Sequence, residues 1–473
     1  MAVTLDRKSA EDWSVANQTL FVESVMTRFY SHKQQNVKDL TLSQIEQLVQ
    51  KQIEQSNDST IYTLKRAAEE RDPQAVHALR KMISDVISGL GVTCSQCTDH
   101  EEVVLYVYSM LYGFKNVEFE RLYESAKEKR IEDIYVNRRD DVRCYVNGDR
   151  EKLTSIYWDN AEDVSTVLHR LTSHHGEGAA GNANPVNRVM LADGTRLSFT
   201  AGEVSNPSFN LRIDNSVFLS KEDFVPRVMS ESVYQVLMAL MLGKTAFGII
   251  GQGRVGKTAL LRQLLYELIK VEPKLRIFDM EIMPELNLYK FFQSKGIDVD
   301  VVETAATRDI TLEDLYENMK QRSADLIIQG EILSAREVSN LLTAFKSGHP
   351  MGPFTTHSTG LHLPRYLAEI MAQEKHVELE PTVNQITHVL DASVVMKEKI
   401  DGEPRKLVEI WQYPDYQKPE LLAKYNVNTH EYEFYPAKDR LREKLETLSF
   451  SEKTMKLYRQ LHKVGILGGK THV

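Results

Sequence analysis

The sequence is poor in cysteine, with three in 473 residues, which excludes a disulfide scaffold and fits a reducing cytosol. Long apolar runs are missing. Val236–Leu242 and Phe247–Ile250 are too short to cross a bilayer, so no transmembrane segment is expected. The first residues, MAVTLDRKSAEDWS, lack the apolar stretch of a signal peptide. Neither glycine nor proline occurs before Pro73, so the early chain carries no strong turn signal. Positive charge is not in excess either. With a net charge of −9, nucleic-acid contact would need a local patch, and no direct nucleic-acid partner is expected. Composition is otherwise globular, 42% hydrophobic and 26% charged, over a length that implies two or three domains.

Residues 1–110 predict a helical extension. In Leu40–Ile53, residues Leu42, Ile45, Leu48, Val49 and Ile53 fall on one helical stripe, and Ser43 with Glu46 has capping-box spacing. Near Ile131 the pattern turns strand-like. IEDIYVNRRDDVRCYVNG predicts two strands about the turn Asn137–Asp141, closed by Asn147-Gly148. Asn160–Ser173 reads as a helix, VMLADGTRLSF as a hairpin around Asp193-Gly194, and SFNLRI as one more strand. Residues 111–225 therefore predict a small α+β domain. From Ser230, helices alternate with the apolar strands AFGII, LRIFDM, VDVVE and LIIQGEI, the rhythm of a largely parallel α/β sheet assigned to residues 226–415. Residues 416–473 read as a helical tail, with Asp439–Lys463 carrying mixed charge.

Gly251-Gln252-Gly253-Arg254-Val255-Gly256-Lys257-Thr258 fits GxxxxGK[ST], after an apolar strand and at the start of a helix. Such a loop, with Ala259 behind it, turns backbone N–H groups toward phosphates at the positive end of the helix. Lys257 would reach the β- and γ-phosphates, and the Thr258 hydroxyl would ligate Mg²⁺. Asp325–Glu331 supplies a second apolar strand ending in a carboxylate, and Glu331 there can orient or deprotonate water. Gly330 stands where a further carboxylate is common, so Mg²⁺ would rest mainly on Thr258, phosphates and water. RIFDMEIMPEL presents Asp279, Glu281 and Glu285 at a strand end, and KSGHPMGPFTTHSTG sets His349 and His357 in a Gly/Pro/Thr loop.

Taken in order, these four blocks resemble the secretion and pilus-assembly ATPases of bacterial type II and type IV systems. The branch serving type IV secretion, conjugation and Tad-type pili is the nearer likeness, over about residues 105–415. The resemblance implies a RecA-like P-loop NTPase domain preceded by the α+β domain and the helical extension. Gly251, Gly256, Lys257 and Thr258 match the Walker A positions, and Glu281 and Glu285 the acidic box. Glu331 matches the Walker B glutamate, and His349 and His357 the histidine box. IEDIYVN resembles the strand that opens the family's N-terminal domain. Arg196 and Arg212 match two arginines that lie near the nucleotide in the family, where a guanidinium fork suits phosphate oxygens. Position 282 is Ile where the family has Asp, and position 333 is Leu where it has Arg. The implied activity is hydrolysis of ATP with Mg²⁺ by a homo-oligomer, a hexameric ring. It would act from the cytoplasmic face on a membrane-embedded secretion or pilus platform.

Two other readings stay open: a hexameric nucleic-acid translocase or helicase, and a non-hydrolysing, nucleotide-gated scaffold. The N-terminal helices lie outside the resemblance and are expected to carry the system-specific contact. Cys94-Ser-Gln-Cys97 has metal-knuckle spacing with His100 nearby, but a closed zinc site needs four ligands and Cys144 is the only other thiol. The pair therefore reads as ordinary structural thiols, and His174-His175 as solvated.

Overall fold

The computed structural model describes residues 38–468, apart from 57–58, 147–148, 176–177, 214–218, 254, 283–284, 307–309, 347–350, 359–361, 401–402 and 415–417. It divides into two compact units, Met1–Asn215 and Ser216–Val473.

Among the described residues, the helical part of the first unit comprises α1 (Leu42–Ser56), α2 (Ser59–Glu69), α3 (Pro73–Leu90) and α4 (His100–Leu111). The local chemistry of α3 is explicit. Asp72 accepts from the Ala75 amide, Pro73 occupies the first turn where its missing N–H costs nothing, and Gly91 closes the helix. Ala75, Leu79, Ile83 and Val86 then bury one face against Ile45 and Val49 of α1 and Val103, Val104 and Val107 of α4. Leu48, placed on the buried stripe by spacing, is instead 39% exposed. The capping box at the start of α1 also falls two residues earlier than the Ser43–Glu46 spacing suggested, between Thr41 and Gln44. Short strands β1 (Lys38–Asp39) and β2 (Val92–Thr93) pair in parallel.

Helix α5 (Val117–Ser125) leads into a six-stranded antiparallel sheet. Its strands are β3 (Ile131–Arg138), β4 (Asp141–Val146), β5 (Asp149–Leu153), β6 (Val186–Met190), β7 (Arg196–Thr200) and β8 (Ser208–Arg212), in the order β5-β4-β3-β8-β7-β6. Alternation puts Ile134, Val136, Val142, Leu197 and Leu211 inward, against Val164, Val167, Leu168 and Leu171 of α6 (Ala161–Thr172). Strand β5, DREKL, has only Leu153 as an apolar residue, which is why periodicity did not reveal it. The helical and α+β halves of this unit are joined by Glu120 of α5, which is fully buried and ion-paired with Arg71 and with Arg80 at 3.5 Å.

In the second unit, α7 (Lys221–Phe224) and α8 (Glu231–Leu242) precede β9 (Phe247–Ile250) and α9 (Lys257–Val271). Then come β10 (Arg276–Glu281), α10 (Leu288–Ser294), β11 (Asp300–Ala305), α11 (Leu312–Lys320), β12 (Leu326–Ile332), α12 (Ala335–Lys346) and β13 (Met351–Thr356). Helices α13 (Leu363–Lys375) and α14 (Leu379–Val389) follow. The unit closes with β14 (Ala392–Ile400), β15 (Glu403–Gln412), β16 (Glu420–Asn426), β17 (Glu431–Phe434), α15 (Asp439–Glu446) and α16 (Glu452–Lys463). Among the described residues the strands form one sheet in the order β11-β10-β12-β13-β9-β14-β15-β16-β17. The first six run parallel, with apolar helices covering both faces; β15, β16 and β17 add an antiparallel meander.

Two sequence expectations are corrected here. Residues 351–356, read as Gly/Pro/Thr loop, form β13 in the middle of the sheet. Gly352 and Pro353 fit because two residues of β13 face one of β12 between the Ile327–Met351 and Gln329–Phe354 pairs. A bulge relieves the ladder bond that a proline cannot donate. Residues 416–473 are more than a helical tail. They contribute β16 and β17 to the sheet, and Leu441, Leu445, Leu461, Ile466 and Leu467 to its core.

Candidate nucleotide site

Strand β9 is buried along its whole length and delivers the Gly-rich loop to the carboxyl edge of the parallel strands. That edge, between strands whose connections run opposite ways, is where open α/β sheets take ligands. Gly256 adopts φ 91°, a left-handed conformation costly for other residues, and α9 begins at Lys257 with no side-chain cap on its first amides. Val255 is buried in the core and anchors the loop, whereas Gln252 is exposed and Gly253 half-buried. Thr258 and Ala259 are half-buried in the first turn of α9. Arg254 and His349 lie outside the described residues.

Lys257, though only 6% exposed, donates from Nζ to the Gly251 and Gln252 carbonyls, each at 3.0 Å. Its Nζ also lies 3.5 Å from Nδ1 of His357, the first residue after β13. On the other side of the ring, His357 Nε2 is 2.9 Å from Glu331 Oε1. An ammonium donates and a carboxylate accepts, so the proton of this imidazole sits on Nε2 and Nδ1 is the acceptor. Lys257, His357 and Glu331 thus form one continuous polar chain. The sheet order explains the meeting: β13 lies between β12, which carries Glu331, and β9, which feeds Lys257. Thr355 and Thr356 bind β13 to β12 by donating to the Gly330 and Ile332 carbonyls at 2.7 and 2.6 Å.

The acidic block forms a second layer. Asp279 and Glu281 share one face of β10 and are 1% and 5% exposed. Glu281 Oε2 accepts from the amides of Glu285 (2.7 Å) and Leu286 (3.2 Å), while Oε1 is buried with no hydrogen-bond partner. Burial pushes Glu281 up to about 7, against the pull of those amides. Burial and the neighbouring Glu281 hold Asp279 well above the usual carboxylate range. A Cβ at residue 330 would overlap the Glu281 carboxylate, so the glycine of β12 is what admits it. Glu285 is half-buried, and Arg262 of α9 holds its segment by donating to the Leu286 carbonyl at 2.8 Å.

Ile282 and Leu333 are exposed at 46% and 40%. Beyond Leu333, the buried Glu337 accepts from the amides of Leu333 (2.6 Å) and Ser334 (2.8 Å) and so fixes the turn into α12. Sequence reasoning left that role unassigned, although Ser334-x-x-Glu337 carries capping-box spacing. Arg196 and Arg212 belong to the first unit. They stand directly opposite one another on β7 and β8, and Arg212 Nε lies 3.5 Å from the buried Asp133 Oδ1 of β3.

The strand order, with β13 between β9, which leads through the Gly-rich loop to Lys257, and β12, which carries Glu331, defines a RecA-like P-loop fold. No protein-family model matches the chain, and no curated protein sequence matches it. Among solved structures it is similar to the VirB11 ATPase of the Brucella suis type IV secretion system, at 18% identity. That match covers 62% of this chain and 96% of the other, with a TM-score of 0.32. It is similar to the Yersinia pseudotuberculosis ATPase DotB at 14% identity, covering 74% and 91% of the two chains, TM-score 0.45. The pilus retraction motor PilT is 15% identical over 74% of this chain and 94% of its own, TM-score 0.42. These likenesses concern the fold.

Proposed function

We propose that this chain is a Mg²⁺-dependent ATPase motor at the cytoplasmic face of a bacterial secretion, conjugation or pilus-assembly system. The observation that carries the reading is the chain Lys257–His357–Glu331 at the mouth of the Gly-rich loop. The loop amides and the first turn of α9 bind phosphate oxygens, and Lys257 exchanges its loop carbonyls for them. Glu331 accepts a proton from, or orients, the attacking water, and His357 Nε2 fixes the carboxylate for that task. The family resemblance of their hairpin and strand is what assigns Arg196 and Arg212 to the nucleotide, for which a guanidinium fork is suited. The family resemblance assigns His349 to the same histidine box as His357.

The donor chemistry fits a hard divalent cation. Thr258 offers a hydroxyl in the first turn, and the unpartnered Glu281 Oε1, with Glu285 nearby, offers carboxylate. Mg²⁺ held by such groups would supply positive charge to offset that building on the phosphates. The choice of machine, a hexameric ring acting on a membrane-embedded platform, rests on the four-block order of the sequence.

Purified protein assayed with Mg²⁺ and ATP tests the reading. Lys257→Ala should lose nucleotide affinity together with turnover. Glu331→Gln should keep ATP and lose turnover by about 10²–10⁴-fold, the span of general acid–base contributions. Wild-type rates in either variant would refute it. The exposed apolar side chains of Ile282 and Leu333 favour one second reading, the nucleotide-gated scaffold. Tight ATP binding with no wild-type turnover would select that reading.

A further inference from the structure

Strand β2 ends at Thr93, and the chain then turns tightly through Cys94-Ser95-Gln96-Cys97 before Asp99 caps α4. The Cys97 amide donates to the Cys94 carbonyl at 3.2 Å. A turn closed in this way holds its first and fourth Cα atoms within about 7 Å, close to the span a disulfide needs. Cys94 is buried and Cys97 half-buried, so a reagent in solution reaches Cys97 first.

The spacing alone also suits a metal knuckle, but the surroundings do not. Among the described residues no group of three or more potential metal ligands gathers anywhere, and the His100 ring is engaged with Ser84 Oγ at 2.8 Å. The turn has a mechanical position instead. The Ser95 amide donates to Asp39 Oδ1 at 2.7 Å, the Leu40 amide to the Thr93 carbonyl at 2.8 Å, and Lys38 and Asp39 pair with Val92 and Thr93. Residues 38–40 are thus fastened to the helical module by the segment that runs into this dithiol.

We propose that Cys94 and Cys97 form a thiol–disulfide modification site, oxidised by small-molecule disulfides to an intramolecular bridge that stiffens the attachment of residues 38–40. The Cys97 thiolate attacks one sulfur of oxidised glutathione and releases one glutathione thiolate. The Cys94 thiolate then attacks the Cys97 sulfur of the mixed disulfide and releases the second. Two electrons pass from the protein dithiol to the glutathione disulfide, and the two thiol protons end on the two glutathiones. Burial, the Cys94 sulfur and the carboxylates of Glu102 and Asp99 raise the Cys97 thiol to about 11, so its thiolate is scarce at neutral pH. That marks a slow clasp and not a rapidly cycling oxidoreductase centre.

The test uses the full wild-type chain, equilibrated in oxidised and reduced glutathione at fixed ratios, acid-quenched, alkylated and mapped by mass. The bridge appears as loss of two hydrogens, confined to the peptide holding Cys94 and Cys97, while Cys144 stays alkylatable. Hydrogen exchange on the same samples should slow at residues 38–40 and 93–99, and dithiothreitol should restore it. In Cys94→Ser, a glutathione adduct should persist on Cys97. Full alkylation of both cysteines at every ratio, or a persistent Cys97 adduct in the wild type, would overturn the site. A bridge that forms without slowing exchange at residues 38–40 would overturn its fastening role.

Discussion

Glu120 in the first unit and Glu281 in the second are both buried carboxylates, and each occupies space left by a glycine. A Cβ on Gly113 would overlap Glu120, and one on Gly330 would overlap Glu281. Their company differs. Glu120 faces the guanidinium of Arg71, which also lies 4.4 Å from the Phe114 ring centroid, with Arg80 beside it. Burial alone would lower the Arg71 pKa, yet Glu120 carries it above its ordinary value. Glu281 has two amides on one oxygen, nothing on the other, and Asp279 and Glu285 for neighbours. A buried charge with its counterion in place holds structure together. A buried carboxylate left half-satisfied among like charges is poised for a partner that arrives later.

The sharpest way to break this comparison is Arg71→Ala. Among the described residues it leaves buried Glu120 with only the Arg80 pair at 3.5 Å, and loss of one member of such a buried pair costs about 3–5 kcal/mol. Urea unfolding, read by exchange protection in α5, should show it; a loss below about 1 kcal/mol would mean that water or Arg80 takes over. The same logic warns against deleting residues 1–100 to find a recruitment surface, because Arg71 and Arg80 would go with them.

Glu281 should give the next largest effect, through pH. Its folded pKa of about 7 lies above the ordinary glutamate value of 4.5, so the folded state holds the proton more tightly. The stability this contributes is fully present below about 4.5 and is lost as pH rises through 7, on the order of 3 kcal/mol at 1.36 kcal/mol per unit. Glu281→Gln should flatten that part of the stability–pH curve. An unchanged slope would mean that Asp279 carries the proton. At the small end, Arg121, 43% exposed and paired with Glu118 at 3.1 Å, should cost at most about 0.5 kcal/mol on replacement by alanine.

The P-loop, the Glu331 strand and the starts of α6, α8 and α9 were legible because those signals are local. Asn160 capping α6 and Ser230 capping α8 follow directly from residue type and spacing. Strand β13 was hidden because Gly352 and Pro353 argue for a loop, and only the bulge against β12 makes room for them. Strands β14–β17 lack the strand–helix rhythm that marked the earlier ones. In the first unit the pairing of Arg196 with Arg212 depends on register, and in the second the orphaned oxygen of Glu281 depends on tertiary burial. Neither property is written in any short window of residues. The link between His357 and Lys257 joins residues a hundred positions apart and needs the strand order to appear.

Asp391, the residue before β14, has a role that is best described as a load path. Its amide donates to the Ala246 carbonyl at the root of β9 at 2.8 Å, the Ala246 amide donates to its Oδ2 at 2.7 Å, and its carbonyl accepts from the Tyr413 amide. Arg440 Nε and Lys444 Nζ of α15 grip the same carboxylate at 2.7 and 2.6 Å. Tension applied at the C-terminal helices is therefore delivered to the base of the strand that bears the Gly-rich loop. Anything that grips those helices would have a lever on the loop, and Asp391→Asn would slacken it.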